Sequence, residues 1–86
     1  MITIHIEYCG AWGYKPRSDK FQKLVRQTFP ENTITMTAGA GRTGSFEITL
    51  KKDGEDVQLI HSKIGGGGHL NDESTRKVFE AIGGAL

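Results

Sequence analysis

The chain opens with a regular alternation of apolar and polar residues. Ile2, Ile4 and Ile6 are separated by polar side chains, and a period of two predicts a β-strand with one buried face. This predicted strand ends at Cys9, the only cysteine in the chain. The sequence therefore places its one thiol at a strand end, where a loop begins.

A helix is predicted after this strand. Pro16 suits the first turn of a helix, where no backbone N–H is needed, and Pro30 ends it. Five residues at helical spacing predict its buried face: Phe21, Leu24, Val25, Thr28 and Phe29. Lys20, Lys23 and Arg26 face elsewhere, which is typical of a solvated helix side but also suits an acidic protein partner.

Three further segments alternate in the way the first one does. Their predicted inward positions are Ile34 and Met36 in the second strand, Phe46, Ile48 and Leu50 in the third, and Val57, Leu59 and His61 in the fourth. The segment Gly39–Gly44 predicts a wide turn between the second and third strands. Asp53 and Gly54 form the pair favoured in tight hairpins, so the third and fourth strands are expected to pair antiparallel.

The last predicted element is a helix that begins at a capping residue, Asn71 or Asp72. Its inward residues are Val78, Phe79 and Ile82, and Gly83 is its predicted end. The run Gly65–Gly68 precedes it. This run lacks the Lys-Ser/Thr pair of a nucleotide-binding loop, so it predicts a flexible connector and no phosphate site.

The element order is therefore β-α-β-β-β-α in one domain over residues 1–86. A right-handed crossover joins the first two strands, and a hairpin joins the last two. One-sided alternation in every strand favours two layers over three. The predicted class is α/β, as a two-layer α+β arrangement with a four-stranded mixed sheet and both helices on one face.

Composition excludes several classes of function. The chain has 11 Lys and Arg against 10 Asp and Glu, so no strong field directs it to nucleic acid. It lacks the apolar run of a membrane span and the pattern of a leader, so we expect a soluble, cytoplasmic protein with no membrane contact. A single cysteine forms no internal disulfide, and His5, His61 and His69 lack metal-site spacing. We expect a reducing compartment, no metal and no tightly bound cofactor.

Cys9 and the loop that follows it carry the candidate chemistry. A cysteine thiolate attacks disulfides and peroxides, and Lys15 and Arg17 would favour the anion if they fold back toward it. A lone cysteine at a strand end is more often a small, half-buried structural residue. Trp12 is in isolation typical of a packing or interface residue. The residues alone leave these alternatives open.

Several short strings occur in a characteristic order along nearly the whole chain. They are Tyr8-Cys9-Gly10-Ala11, Gly13-Tyr14-Lys15-Pro16, Phe29-Pro30, Thr43-Gly44-Ser45-Phe46-Glu47, His61-Ser62-Lys63, Gly66-Gly67-Gly68-His69 and Val78-Phe79-Glu80-Ala81-Ile82. In order and spacing they resemble the selenoprotein W family of small redox proteins, the type that includes SelT and SelH. The resemblance implies a thioredoxin-like fold, which agrees with the element order derived from the alternation.

The family motif is Cys-x-x-selenocysteine or Cys-x-x-Cys, so the resemblance puts the redox partner of Cys9 at position 12, where this chain has Trp12. Selenocysteine is encoded by UGA, a single-base change from the tryptophan codon UGG, and we hypothesise that Trp12 reflects a recoded or substituted selenocysteine codon. With Trp12 in place no second sulfur resolves a mixed disulfide. Dithiol or selenothiol turnover is then expected to be lost, and an external thiol must clear Cys9.

The resemblance further implies a glutathione-linked antioxidant or oxidoreductase role, with glutathione as co-substrate or mixed-disulfide partner. It also implies contact with 14-3-3 proteins or other thiol proteins through the redox loop. The loop-supporting residues implied by the family pattern are Gly10, Ala11, Gly13, Tyr14, Lys15, Pro16, Thr43, Gly44 and Phe46.

An alternative from a different class is a redox-silent protein-binding module. In that hypothesis Trp12 and Tyr14 form an apolar interaction patch, and Cys9 is structural. Mapping the modification of Cys9 by oxidised glutathione or dilute peroxide distinguishes the two. A nucleic-acid binder that uses the basic helix ranks behind both, since it would need salt-sensitive association and more positive charge.

Overall fold

Four strands and two helices follow one another in the predicted order. The structure is a computed structural model, and it describes residues 2–10, 14–30 and 33–86. The elements are β1 (Ile2–Cys9), α1 (Tyr14–Thr28), β2 (Ile34–Gly41), β3 (Phe46–Lys52), β4 (Gln58–Ser62) and α2 (Asp72–Ala85), with a single wide turn at Lys63–Gly67 before α2. Neither helix is long and apolar enough to span a membrane in the part of the chain described.

The strands form one mixed sheet in the order β2-β1-β3-β4. β1 is parallel to β2 and antiparallel to β3, and β3 is antiparallel to β4. The Asp53-Gly54 hairpin forms as predicted: Gly54 has a φ of 81°, and the Glu55 amide donates to the Lys52 carbonyl at 2.9 Å. The mixed four-stranded sheet and its α+β class are confirmed.

The core lies between one face of the sheet and both helices. Its buried members are Ile2, Ile4 and Ile6 of β1, Phe46, Ile48 and Leu50 of β3, Phe21 and Val25 of α1, and Val78 and Ile82 of α2. Because a strand directs alternate residues to one side, the six strand residues share a face. Phe79 of α2 contacts Phe21 and Phe29, with ring centroids 6.1 and 5.7 Å apart, and so joins the two helices.

The buried face of α1 differs from the prediction at two of its five positions. Leu24 is 36% exposed and Thr28 is exposed, whereas Ser18 is fully buried. Ser18, Phe21 and Val25 are three and four residues apart, so they lie on one face, and Leu24 and Thr28 fall at its margin. Thr28 instead donates its hydroxyl to the Leu24 carbonyl at 2.8 Å. Pro16 lies in the first turn, as predicted.

The sequence predicted one wide turn over Gly39–Gly44, and this prediction is wrong. β2 continues through Gly41, which pairs with Cys9 of β1, and only residues 42–44 form the turn. The parallel pairing with β1 supplies backbone hydrogen-bond partners along the whole of β2 and outweighs the weak strand preference of glycine. Gly44, with a φ of 77°, makes the reversal into β3.

The prediction for β4 is wrong at Val57 and Leu59. β4 begins at Gln58, and Val57 and Leu59 are 59% and 60% exposed. His61 pairs with Ile48 but Leu59 pairs with Thr49, so Ile60 is an extra residue in β4. Such a bulge reverses the inward and outward positions on its two sides, which turns Leu59 away from the core.

The start of α2 agrees with the prediction, and its end does not. Asn71 caps it, and its Oδ1 accepts from the Ser74 amide at 2.8 Å while the Ser74 hydroxyl accepts from the Asn71 amide, also at 2.8 Å. Gly83 does not end the helix, which runs to Ala85. A Cβ at Gly83 would lie 3.8 Å from a Phe29 ring atom, which is an ordinary contact distance, so the packing there does not require a glycine.

Candidate thiol site

Cys9 is the last residue of β1 and lies between two other strands. It pairs with Gly41 of β2, and its amide donates to the Ser45 carbonyl, just before β3, at 2.8 Å. It forms no disulfide and is only 5% exposed. A thiol must be reached by the sulfur or oxygen it attacks, so exchange at Cys9 requires greater exposure of its side chain than this conformation provides.

The loop after Cys9 is described only in part. Gly10 is exposed, and Ala11, Trp12 and Gly13 lie outside the described residues. The predictions for these three residues, including Trp12 at the family's redox position, therefore remain predictions. Tyr14 resumes the described chain as the first residue of α1, and Pro16 lies in the same first turn.

The turn before β3 lies beside the end of β1. Ser45 donates both its amide and its hydroxyl to the Arg42 carbonyl, at 3.1 and 2.6 Å, and this closes the turn that contains Thr43 and Gly44. Phe46 then pairs with Tyr8. The structure thus brings the Thr43–Phe46 segment next to Cys9, although these residues are more than thirty positions away in sequence.

Aromatic and histidine side chains form a cluster near the start of α1. His69 lies between two rings, with centroid distances of 4.9 Å to Tyr14 and 5.8 Å to Phe46. His61 contacts Phe46 at 6.4 Å and donates Nε2–H to the Gly68 carbonyl at 2.8 Å. The Lys63 ammonium lies 5.7 Å from the centre of the Tyr14 ring. We call Tyr14, Phe46, His61 and His69 the aromatic–histidine cluster.

His69 is held neutral in this cluster. Burial lowers its pKa, and the nearby positive charges of Arg17 and Lys63 lower it further. Its Nδ1 atom is buried and has no hydrogen-bond partner within residues 2–10, 14–30 and 33–86. A buried polar atom without a partner is uncommon in folded proteins, which marks this nitrogen as a point of interest.

Glu47 is a buried carboxylate that the sequence did not single out. One oxygen accepts from the Ser62 hydroxyl, and the other accepts from the amides of Lys63 at 2.7 Å and Ile64 at 3.3 Å. Burial alone would raise the pKa of Glu47, but these hydrogen bonds outweigh it and hold the pKa below its ordinary value. Gly65 in turn donates its amide to Ser62 Oγ at 2.8 Å. The Lys63–Gly67 segment is therefore a hydrogen-bonded turn, whereas the sequence suggested a flexible connector from Gly65 onward.

Glu7 and Arg42 form a second polar contact beside Cys9. Glu7 Oε2 accepts from Arg42 Nε at 3.0 Å and from the Arg42 amide at 3.3 Å. The Arg42 hydrogen bond lowers the pKa of Glu7. The Glu7 side chain lies directly over Gly41, where a Cβ would be 2.1 Å from Glu7 Cγ. The absence of a side chain at position 41 is what admits this contact.

The basic residues that follow the loop have separate surroundings. Lys15 Nζ is 3.1 Å from Asp19 Oδ2, one helical turn away, so this cation is engaged within α1. Arg17 is exposed and close enough to His69 to affect its titration. No group of three or more His, Cys, Asp and Glu side chains suited to a metal ion occurs among the residues that the structure describes.

The chain is similar in sequence to known proteins over nearly its whole length. Residues 3–80 match the model of the Rdx family. Selenoprotein W of Ovis aries is 34% identical over an alignment of 87 positions, which covers 99% of this chain and 94% of the sheep protein. Selenoprotein W of Danio rerio is 32% identical, with 99% and 95% covered, and that of Gallus gallus is 31% identical, with 99% and 96% covered.

Proposed function

The chain belongs to the Rdx family, the family of its selenoprotein W relatives, and from this premise we propose that it is a thiol redox protein in which Cys9 is the reacting residue. The observation that carries the proposal is the family match over residues 3–80, together with Cys9 at the end of β1. That strand end lies against the turn before β3, through the bond from the Cys9 amide to the Ser45 carbonyl. Two segments with family-like strings thus meet at one thiol.

The proposed cycle is a monothiol exchange with glutathione. The Cys9 thiolate attacks the glutathione sulfur of a disulfide between a substrate thiol and glutathione, a Cys9–glutathione disulfide forms, and the substrate thiolate leaves. A second glutathione thiolate then attacks the glutathione sulfur of the mixed disulfide, which regenerates the Cys9 thiolate and releases glutathione disulfide. External glutathione takes this second step because Trp12 offers no sulfur at the family's redox position.

Peroxide enters the same cycle as an oxidant. The Cys9 thiolate attacks one peroxide oxygen, the O–O bond breaks, and Cys9 becomes a sulfenic acid while an alkoxide or hydroxide leaves and takes up a proton. Glutathione then attacks the sulfenic sulfur, with loss of water, and gives the same mixed disulfide. This route supports an antioxidant role in a cytoplasm where glutathione is abundant.

The partner proposed from the family resemblance is a 14-3-3 protein or another thiol protein that contacts the chain near the redox loop. Gly10 is exposed at the start of this loop, which supports access by a partner surface. Pull-down of a purified 14-3-3 protein by the reduced and oxidised forms tests this contact. If neither the reduced nor the oxidised form bound the 14-3-3 protein, this proposed partner would be ruled out.

Mass mapping of Cys9 tests the central proposal. The folded protein is treated with oxidised glutathione, and the expected result is a glutathione adduct on Cys9 that reduced glutathione removes. Cys9→Ser is the matched control and should take up no adduct. An unmodified Cys9 in the folded protein, with modification only after denaturant is added, would overturn the proposal.

A second candidate function is a redox-silent protein-binding module. The observation in its favour is the burial of Cys9, which is 5% exposed and so resembles a packed structural thiol. Under this hypothesis the Trp12 and Tyr14 region binds a partner, and Cys9→Ser leaves partner binding unchanged. The mass-mapping experiment separates the two, since only the first candidate requires a reversible adduct in the folded state.

A further inference from the structure

A cavity of about 290 Å³ lies between α1 and the start of α2. Phe21 and Leu24 of α1 line one side, Asp72 and Thr75 of α2 line the other, and Phe46 of β3 lines it from the sheet. Ligand pockets typically begin near ~300 Å³. This cavity is therefore the size for a small molecule with one ring or a short branched chain.

The charges at this cavity are unequal. Arg17 and Lys20 line it from α1, and Asp72 lines it from α2. Neither cation has an ion-pair partner in the described ranges 2–10, 14–30 and 33–86, unlike Lys15, which is paired with Asp19. Two cations against one carboxylate, with His69 neutral, leave an excess positive charge at the cavity. An anionic group is favoured there.

The cavity also offers polar atoms for orientation. His69 lines it. A neutral imidazole nitrogen either donates or accepts, so it suits a carboxyl or hydroxyl group on a ligand. The Thr75 hydroxyl is a second such group.

We propose that this cleft, lined by Arg17, Lys20, Phe21, Phe46 and His69, is a binding site for a small carboxylic acid that carries one aromatic or branched aliphatic group. The apolar group lies against Phe21 and Phe46, and the carboxylate lies toward Arg17 and Lys20. The site does not include Cys9, so it stands independently of the thiol exchange proposed above.

The test is an amide NMR titration with 3-phenylpropionate, compared with 3-phenylpropan-1-ol, which has the same ring and chain but no charge. The Cys9→Ser protein is used, so that thiol chemistry contributes nothing. Saturable shifts at Phe21, Phe46 and His69 are expected, with the acid bound about fivefold more tightly than the alcohol at low salt. Equal affinity for acid and alcohol, or no saturable shift at these residues, would overturn the proposal.

Charge variants locate the carboxylate. Arg17→Gln and Lys20→Gln should each weaken binding of the acid by about twofold to fivefold and leave the alcohol unaffected. Lys23→Gln, on the same helix but outside the cavity, is the matched control and should change neither. An effect of Lys23→Gln as large as the other two would mean that helix charge in general, and not this cleft, attracts the acid.

A filling variant tests the cavity itself. Thr75→Phe should abolish the shifts for both ligands, since the new ring occupies the space. An unchanged thermal midpoint and amide spectrum away from α2 show that this variant is folded. Thr75→Val retains the volume and should keep most of the acid binding. Retention of binding by folded Thr75→Phe would place the ligand elsewhere and contradict the proposal.

Discussion

The buried Glu47 carboxylate of β3 accepts a hydrogen bond from the Lys63 backbone amide at 2.7 Å. With the Ser62 hydroxyl and the Ile64 amide bound as well, this one side chain accepts three hydrogen bonds from the segment that links β4 to α2. This turn leads directly to His69, which packs on Tyr14 at the start of α1. Glu47 thereby connects the sheet to the region beside the candidate thiol site.

Glu47→Gln should lower the free energy of unfolding by about 1–3 kcal/mol, because an amide replaces one acceptor oxygen by a donor group facing backbone donors. Urea denaturation followed by circular dichroism measures it. Glu55→Gln, in the exposed hairpin turn, is the matched control and should change stability little. A loss no greater than that of the control would mean that the carboxylate contributes nothing to the turn.

Stability should also depend on pH through two carboxylates. The pKa values of Glu47 and Glu7 are both lowered in the folded state from an ordinary value of 4.5. A lowered folded pKa stabilises the protein above the unfolded pKa, and that stability is lost as the pH falls through the folded pKa. We expect the free energy of unfolding to decline below about pH 4.5 through these carboxylates. The lowered pKa of His69 adds a separate decline that begins as the pH falls below 6.5.

The decline should be shallower in Glu47→Gln, since one of the two groups no longer titrates. Urea unfolding of both proteins at a series of pH values between neutral and acidic measures the difference. Parallel curves for the two proteins would show that Glu47 does not take part in the acid response.

Gly41→Ala should destabilise the protein by about 1–3 kcal/mol, because the new methyl group would collide with the Glu7 side chain and displace it from Arg42. Gly39→Ala is a close control in the same strand, as nothing lies within 4 Å of its Cβ position. Thermal denaturation of both variants measures the difference. Similar midpoints would show that the Glu7 contact over Gly41 can be rearranged at little cost.

Trp12→Cys should convert a monothiol into a dithiol protein. A second sulfur at the family's redox position allows intramolecular attack on a mixed disulfide, and we expect turnover of a disulfide substrate to rise on the order of tenfold or more. The oxidised variant should contain a disulfide between Cys9 and the introduced cysteine. The double variant Cys9→Ser, Trp12→Cys is the control, and equal turnover of the native and Trp12→Cys proteins would count against this loop as the redox site.

The native transcript at codon 12 tests the origin of Trp12. A UGA codon with a downstream selenocysteine-insertion element would establish a recoded selenocysteine position. A UGG codon without such an element would establish tryptophan as the natural residue. In that case the expected loss of dithiol turnover would be a property of the natural protein.

Alternation in β1 and β3 was enough to predict the centre of the fold. Ile4 and Ile48 are fully buried, as the period of two required. Glu47 was not predictable in this way, since its position in the alternation suggests a solvated side chain. It is buried because the Lys63–Gly67 turn covers it, and that contact joins segments sixteen residues apart. In the sequence, the two residues that make this contact were marked only by their places in the family-like strings that contain Glu47 and Ser62.

The other wrong predictions concern features that depend on strand pairing and on packing between elements. Ile60 is an extra residue in β4, and no local pattern marks the position of a bulge. Gly83 resembled a helix end, but Ala85 beyond it packs against the core, and the helix continues to that residue. For the candidate site, the sequence predicted that Cys9 lies at a strand end. It did not predict that Cys9 is buried, because that burial depends on neighbours from distant segments of the chain.

The Ile60 bulge has a consequence for self-association. β4 lies at one border of the sheet, and a border strand offers free backbone groups to any other extended chain. Leu59, 60% exposed, would add an apolar contact to such pairing. The bulge interrupts the regular spacing of those groups, which disfavours in-register extension of the sheet by a second molecule along this border.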